Sequence, residues 1–141
     1  MMKQRTDDSL DKLKIIRTLT DYADAFGRFD VKGVAGFCCQ PFMMIAPSGC
    51  TALHTAGEIE TAYTAIIQEL RDRGYSHSIW LELYVKVLDA ATAFASGVPV
   101  RFANGDELER VGAMYLLRKS GAEWKIAVLT THAPGTVIQL D

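Results

Sequence analysis

The sequence lacks a long hydrophobic run and a strong excess of either charge. No apolar stretch approaches the roughly 20 residues that a membrane-spanning helix needs, and the opening "MMKQRTDDSLDK" contains no hydrophobic segment of the kind that a signal peptide requires. Fifteen basic and seventeen acidic residues give a net charge of −2, which offers no electrostatic attraction for nucleic acid or an anionic membrane. We therefore expect a cytoplasmic protein that binds neither.

Several motifs that carry chemistry are also missing. The three cysteines are odd in number and have no Cys-x-x-Cys spacing, which favours reduced core residues over disulfides or a metal site. The three histidines are scattered without the paired spacing of metal ligands. Neither a GxGxxG dinucleotide fingerprint nor a GxSxG nucleophile elbow occurs. We expect no cofactor and no metal.

The composition itself is that of an ordinary globular domain. Hydrophobic residues make up 49% and charged residues 23% of the 141 residues, which argues against disorder. At this length, folding buries roughly two-thirds of the surface of the unfolded chain, so a substantial core can form. We expect residues 1–141 to form a single domain, in which residues 1–8 are a loose N-terminal tail.

Three helices are predicted in the first half of the chain. The first is capped by Asp8 or Ser9 and carries apolar residues at three- and four-residue spacing. Asp30 starts a short second helix, and Thr55 caps the third, with a glutamate three residues later. The helices are predicted to span residues 9–29, 30–39 and 55–74.

The second half of the chain switches to the alternating pattern of strands. After an apolar strand "FMMIA" between the second and third helices, four long strands follow, joined by "DAA", "NGD" and "SGA". The Asn-Gly pair is a strong signal for a two-residue hairpin. Helices followed by a meandering antiparallel sheet indicate an α+β fold. The four strands are "SHSIWLELYVKVL", "TAFASGVPVRFA", "ELERVGAMYLLRK" and "EWKIAVLTTHA".

This order of elements resembles the nuclear-transport-factor-2-like (NTF2-like) superfamily, especially its SnoaL-like branch. The resemblance is carried by "DYADAFGRFD" in the first helix, by three helices before a long meander, and by a final "G-x-x-W-K-I" strand. It implies three N-terminal helices packed into a strongly curved antiparallel sheet, forming a cone with an internal pocket, often dimeric through the outer face. Members include isomerases, cyclases, dehydratases, epoxide hydrolases and non-catalytic binding domains. The fold alone therefore does not identify the function.

Hairpin geometry predicts which side chains share the inner face. A two-residue loop in "NGD" places Phe94 opposite Tyr115, and a two- or four-residue loop before the last strand places Glu109 opposite His132. A three-residue loop would reverse that second pairing. This register puts Glu109 and His132 side by side at the rim of the pocket, which we expect to be lined by Phe26, Phe94, Val98, Tyr115, Trp124 and Val128.

Three side chains are candidates for catalysis. A carboxylate next to an imidazole fixes its tautomer and raises its pKa, so His132 is a candidate acid/base with Glu109 as its orienter. Tyr22 lies where related enzymes often place a pocket tyrosine, whose hydroxyl can polarise a ligand carbonyl. The alternative for Glu109 and His132 is an ion pair at the rim that faces water and does no chemistry. The alternative for Tyr22 is a core aromatic residue whose hydroxyl already has a hydrogen-bond partner.

Other family chemistries are less well supported by the residues present. Ketosteroid isomerases carry a catalytic aspartate before a proline, whereas "MMIAP" has Ala46 at that place. Epoxide hydrolases need an Asp-Arg-Asp set, and the inferred inner face offers only Glu109. A dehydratase pocket rich in histidine could be mimicked by His54, His77 and His132 together with Tyr22.

The strand "IWLELYVKV" predicts an interface, and its register is left open by the sequence. If its aliphatic residues face inward, Trp80 and Tyr84 form an amphipathic stripe on the outer face. We expect a homodimer packed through that face. Two functions remain open: a dimeric accessory or binding protein for a small apolar ligand, and a cofactor-independent isomerase, cyclase or dehydratase acting by acid–base chemistry on a small carbonyl or polycyclic substrate.

Overall fold

A computed structural model describes the backbone of residues 2–140 and the side chains of residues 9–140, arranged as three helices and seven strands. The helices are α1 (Met2–Gly27), α2 (Val31–Gly36) and α3 (Ala56–Asp72). The strands are β1 (Cys38–Ala46), β2 (Gly49–Leu53), β3 (Tyr75–Val87), β4 (Thr92–Ala103), β5 (Asp106–Arg110), β6 (Gly112–Ser120) and β7 (Glu123–His132), followed by a 3₁₀ turn at Pro134–Thr136.

The helix caps follow the sequence prediction at two of three sites. The Asp30 side chain accepts a hydrogen bond from the Gly33 amide at 3.0 Å, and the Thr55 hydroxyl accepts one from the Glu58 amide at 3.2 Å. The predicted start of α1 at residue 8 or 9 is not observed, because the helix begins at Met2. The side chains of residues 1–8, the expected tail, lie outside the described residues.

The seven strands form one sheet in the order β2-β1-β7-β6-β4-β3, with β5 paired to β4. The expectation of a wholly antiparallel sheet is wrong at one junction, where β1 and β7 run parallel. Strands joined by tight hairpins must be antiparallel, but these two are joined by most of the chain and are free of that constraint. The sequence also missed β2, a short strand that continues from "PSG".

The core lies between the concave face of the sheet and the helices. Ile15 and Leu19 of α1 and Ile59 and Tyr63 of α3 are almost fully buried against it. Aromatic rings meet edge to face in the middle of this layer, with Tyr22 and Tyr115 at 6.2 Å between ring centroids. None of the helices in the described part of the chain has the length and apolar character that crossing a membrane requires.

A bulge in the β4–β5 hairpin corrects the predicted register. Arg101 pairs with Glu109 and Phe102 pairs with Glu107, which leaves Leu108 as the extra residue. From there on the pairing is shifted by one, so Ala95 rather than Phe94 lies opposite Tyr115. Because side chains alternate, this shift exchanges the two faces.

Small residues, not large ones, form the inner face of β4 where that strand pairs with β6. Ala93, Ala95 and Gly97 pair with the inward-facing residues of β6, since the aromatic layer leaves little room there. Ser96 is on the other face, and its hydroxyl accepts a hydrogen bond from the Ile138 amide at 3.1 Å. The C-terminal segment therefore covers part of the outer face.

The β6–β7 hairpin does not bring Glu109 opposite His132. The loop holds two residues, with Ser120 paired to Glu123, and a second bulge at Ala127 shifts the later pairs. His132 consequently pairs with Gly112. The predicted pairing fails for two reasons. Glu109 lies in β5, which is separate from β6 and pairs with β4, and the two-residue loop together with the bulge at Ala127 places His132 three residues farther along, opposite Gly112.

A third bulge at Leu81 decides the orientation of β3. Trp80 pairs with Pro99 and Glu82 pairs with Val98, so Leu81 is unpaired and half exposed. Trp80 packs against the core, which makes the prediction of Trp80 on an outer interface wrong. Tyr84 pairs with Ser96, a residue of the outer face, and its hydroxyl donates to Glu82 at 2.9 Å.

One polar group ties α1 to the far end of the sheet. The Asp11 carboxylate accepts hydrogen bonds from the Trp124 indole at 3.1 Å and from the Lys119 ammonium at 3.2 Å. Trp124 is almost fully buried, so its indole N–H depends on this partner.

Replacing Asp11 with alanine should lower the free energy of unfolding by about 1–3 kcal/mol, because a buried indole donor loses its acceptor. Urea denaturation would measure the change. Asp21→Ala on the same helix removes an exposed carboxylate and should stay within about 0.5 kcal/mol of the wild type. Equal effects for the two variants would contradict the role of Asp11.

Gly97 makes room for the Trp80 ring. A Cβ at this position would lie 2.5 Å from the Glu82 carbonyl oxygen and 2.9 Å from the Trp80 ring. Gly97→Ala should therefore destabilise the fold by about 1–3 kcal/mol through overpacking. Gly36→Ala, where a Cβ meets nothing within 4 Å, should be neutral or stabilising. A thermal melt in which Gly97→Ala matches the wild type would show that Trp80 is not held there.

Candidate functional site

Two adjoining cavities occupy the space between the helices and the concave face of the sheet. The smaller has a volume of about 50 Å³ and the larger about 420 Å³. α1, β4, β6 and β7 contribute residues to the smaller cavity, and β1, β2 and α3 help to form the larger. Both are lined by Tyr22, Phe26, Arg101, Val111, Leu129 and Thr131.

Two tyrosine hydroxyls form a hydrogen bond at the wall of the larger cavity. The hydroxyl oxygens of Tyr22 and Tyr63 lie 2.8 Å apart, and both residues are buried. Burial raises the pKa of each hydroxyl well above its ordinary value, because the phenolate would be poorly solvated. The pair is therefore protonated at neutral pH and can donate a hydrogen bond, but neither member is available as a base.

Arg101 is the charged member of both linings among the described residues. It follows Pro99 on the inner face of β4, and its guanidinium lies 5.8 Å from the centre of the Phe26 ring. The Nη1 atom donates to Glu109 at 2.5 Å. The other oxygen of Glu109 accepts from Arg73, just beyond α3, at 2.6 Å.

The Glu109 carboxyl is held ionised by this bridge. Its partial burial would raise its pKa, but the hydrogen bonds and charges of Arg73 and Arg101 outweigh that effect and leave the pKa below its ordinary value. A carboxylate in this state orients Arg101 and is unsuited to accept a proton at neutral pH.

His132 lies away from the cavities. Thr131 lines them, so the next residue along the strand projects to the opposite face, where the His132 ring covers Gly112. Its Nδ1 atom lies 2.8 Å from the Ala133 carbonyl oxygen and 3.1 Å from the Thr136 hydroxyl. The predicted Glu109–His132 pair is therefore not formed, and an acid/base role that depends on it is not supported.

The structure sorts the other predicted site residues into two groups. Tyr22, Phe26 and Tyr115 line the smaller cavity, and their roles stay predictions. The remaining four do not line either cavity. Trp124 is held by Asp11 at the far end of the sheet. Phe94 and Val128 each pair with Leu116 on the outer face, and Val98 follows the inward-facing Gly97 and so also lies on the outer face.

The histidines expected to imitate a dehydratase site do not converge. His54 and His77 are exposed, and His77 stacks on Phe102 at 5.0 Å between ring centroids. In the described residues, no three histidine, cysteine or acidic side chains are grouped so that they could hold a metal ion. Burial raises the pKa of the Cys38 thiol to about 12, as for a core cysteine.

A third site, a depression on the surface, lies between α1, α2 and the β6–β7 loop. Its volume is about 730 Å³, and side chains of both signs line it, among them Arg17, Asp21, Arg28 and Glu123. Arg28 forms ion pairs with Asp24 and Asp30 in this region. The mixture of charges and the wide opening suit solvent better than a small organic molecule.

Sequence reasoning missed several residues of the internal site, among them Trp80 and Arg101. Trp80 was assigned to the outer face because aliphatic residues alternate with it, and Arg101 was not among the expected pocket residues. The available signal was "SGVP", since a glycine and a proline in a long strand often mark a bulge or a close approach of another group.

Known families and structures give a consistent identification. The sequence matches the family described as "NTF2-like protein (DUF6841)" over residues 11–134. No curated protein matches it.

Solved structures share this fold at low sequence identity. An NTF2-like protein with a cystatin-like fold from Novosphingobium aromaticivorans has a TM-score of 0.74 and 14% identity, covering 88% of this chain and 82% of that one. A proposed dehydratase from the NTF2-like family of Streptomyces avermitilis has a TM-score of 0.71 and 14% identity, covering 89% and 96%. A protein of unknown function from Nostoc punctiforme has a TM-score of 0.73 and 13% identity, covering 90% and 93%.

At these identities the structural likeness shows the fold alone. It confirms the α+β architecture expected from the sequence, and the family match confirms the NTF2-like resemblance. Because the family match extends over most of its length, the chain belongs to the family of NTF2-like proteins DUF6841.

Proposed function

We propose that the protein binds a small, largely apolar molecule inside the cone. The observation that carries this proposal is the larger cavity of about 420 Å³, which is within the size range of small-molecule sites. Its walls are mostly apolar and aromatic, with a few polar groups that could fix an orientation. Its apolar lining includes Met44, Ile45, Ile66 and Leu129.

The chemistry of the walls favours binding over catalysis. Among the described residues, neither cavity is lined by a histidine or a carboxylate that could move a proton. Ala46 lines the larger cavity at the position where ketosteroid isomerases carry their aspartate. The buried tyrosines keep their protons, so they can orient a ligand without reacting with it.

The Tyr22–Tyr63 pair supports a second candidate, a cofactor-independent isomerase, cyclase or dehydratase. A neutral tyrosine hydroxyl in a dry site can polarise a substrate carbonyl and stabilise the charge that develops on its oxygen. One structural relative is described as a proposed dehydratase. In this case Tyr22→Phe should abolish turnover of a carbonyl substrate, whereas a binding protein would lose only affinity.

Binding can be tested with N-phenyl-1-naphthylamine, a neutral probe whose fluorescence rises in an apolar site. We expect saturable enhancement with the wild type. Ile66→Trp should weaken probe binding at least about tenfold, because the larger side chain occupies the cavity wall.

The matched control is Leu13→Trp, which places the same ring on an exposed position of α1 outside both cavities. It should bind the probe as the wild type does. Unsaturable enhancement, or equal behaviour of the two tryptophan variants, would remove the proposal of an internal binding site.

We also propose that two copies pair through the outer face of the sheet, with a centre different from the one first expected. Ile79, Leu81 and Leu116 are each 44–50% exposed, and Tyr84 is on the outer face of β3, the strand that also carries Ile79 and Leu81. Covering such apolar surface is favourable by about 25 cal/mol per Å². A symmetric pair would cover the same patch on both copies.

Light scattering at micromolar concentration should give about twice the mass of one chain. Leu116→Asp should shift the protein toward monomer, since a charge in a buried apolar interface is costly. Leu13→Asp, on the exposed side of α1, should leave the mass unchanged. A monomeric wild type, or a Leu116→Asp dimer as tight as its parent, would end this proposal.

A further inference from the structure

The Trp80 indole carries a buried donor that has no partner among the described residues. Its Nε1 atom is shielded from solvent and makes no hydrogen bond in this part of the chain. Trp80 lines the smaller cavity. Buried N–H groups are almost always hydrogen-bonded, so an unpaired one on a side chain that lines a cavity is a candidate donor to a bound ligand.

The Trp80 ring is placed there by the backbone. The bulge at Leu81 turns Trp80 inward, and Gly97 leaves the space into which the ring packs. Tyr115 meets the ring edge to face, with 5.8 Å between centroids. A residue supported from three sides in this way holds its donor in a fixed position.

Arg101 adds a second source of donors to the same cavity. In the described residues, only its Nη1 atom has a hydrogen-bond partner, so Nε and Nη2 can still donate. Two guanidinium groups, Arg101 and Arg73, share the carboxylate of Glu109, and Arg73 is also paired with the exposed Glu69 at 3.5 Å. Arg101 is the charged side chain of the lining among the described residues, and its guanidinium keeps N–H groups that Glu109 does not take up.

The volumes of the two cavities suit a molecule with a small head and a larger body. The smaller cavity, about 50 Å³, exceeds the roughly 10–15 Å³ that a cavity needs to hold one water molecule, and it is much smaller than its neighbour. A carboxylate group fits this space. The larger cavity has room for an apolar body and shares six lining residues with the smaller one.

We propose that the ligand of this protein is an apolar organic carboxylate, whose acid group lies in the smaller cavity and accepts hydrogen bonds from Trp80 Nε1 and Arg101. The inference rests on the proposed binding function and specifies its ligand class. Glu109 is a positioning residue, which holds Arg101 toward the cavity without touching the ligand. Charge-assisted hydrogen bonds of this kind discriminate strongly against a neutral analogue.

The test compares 2-naphthoate with 2-naphthamide, which have nearly the same shape and differ in charge. Isothermal titration at pH 7.5 should show that the wild type binds the carboxylate at least about tenfold more tightly. Arg101→Gln should remove this preference. Trp80→Phe should reduce it severalfold, and Arg101→Lys, which keeps the charge, should retain part of it.

Arg118→Gln is the control, since this exposed arginine lines neither cavity and should leave the preference intact. Binding of the neutral probe separates the two proposals. If the wild type binds the probe but binds the two naphthalene ligands equally, the carboxylate inference is wrong while the binding function stands. If Arg101→Gln keeps the full preference for the carboxylate, the inference is also wrong. If the wild type binds neither the probe nor either naphthalene ligand, both proposals are wrong.

Discussion

The site depends on the alternation of side chains along each strand. Single-residue bulges decide which of the alternating residues face inward. A bulge adds one residue to a strand, so every later side chain moves to the other face. The bulge at Leu81 brings Trp80 to the core, and the one at Leu108 aligns Glu109 with Arg101. The bulge at Ala127 leaves Thr131 inside and His132 outside.

The interior that results is apolar and aromatic, with its polarity concentrated at a few atoms. Burying Arg101 beside Phe26 is tolerated because Glu109 neutralises part of its charge, and Glu109 is in turn shared with Arg73. The Tyr22 and Tyr63 hydroxyls share one hydrogen bond, which leaves one O–H group able to donate. The Trp80 indole N–H is buried without a partner among the described residues, and Arg101 keeps N–H groups that are free to donate to a ligand.

The family relationship and the pocket chemistry answer different questions. Structures at 13–14% identity preserve the cone, because many sequences satisfy the same pattern of helices and curved strands. The groups that would recognise or transform a ligand are few and change freely on that frame. Ala46 shows this, since it lines the larger cavity where some relatives of this fold class use an aspartate.

The sequence by itself determined the three helices, two of their caps, the long strands and the family. Local signals carry these features: Asp30 and Thr55 each accept a hydrogen bond from the amide three residues later, and alternation is read within a single strand. The tertiary structure decided which face of each strand is inside. Phe94 and Val98 are more hydrophobic than Ala95 and Gly97, yet the small residues face inward because the aromatic layer and the Trp80 ring occupy that space. Bulges and close packing depend on partners distant in sequence, and for that reason Arg101 and Trp80 emerged as site residues only in the folded chain.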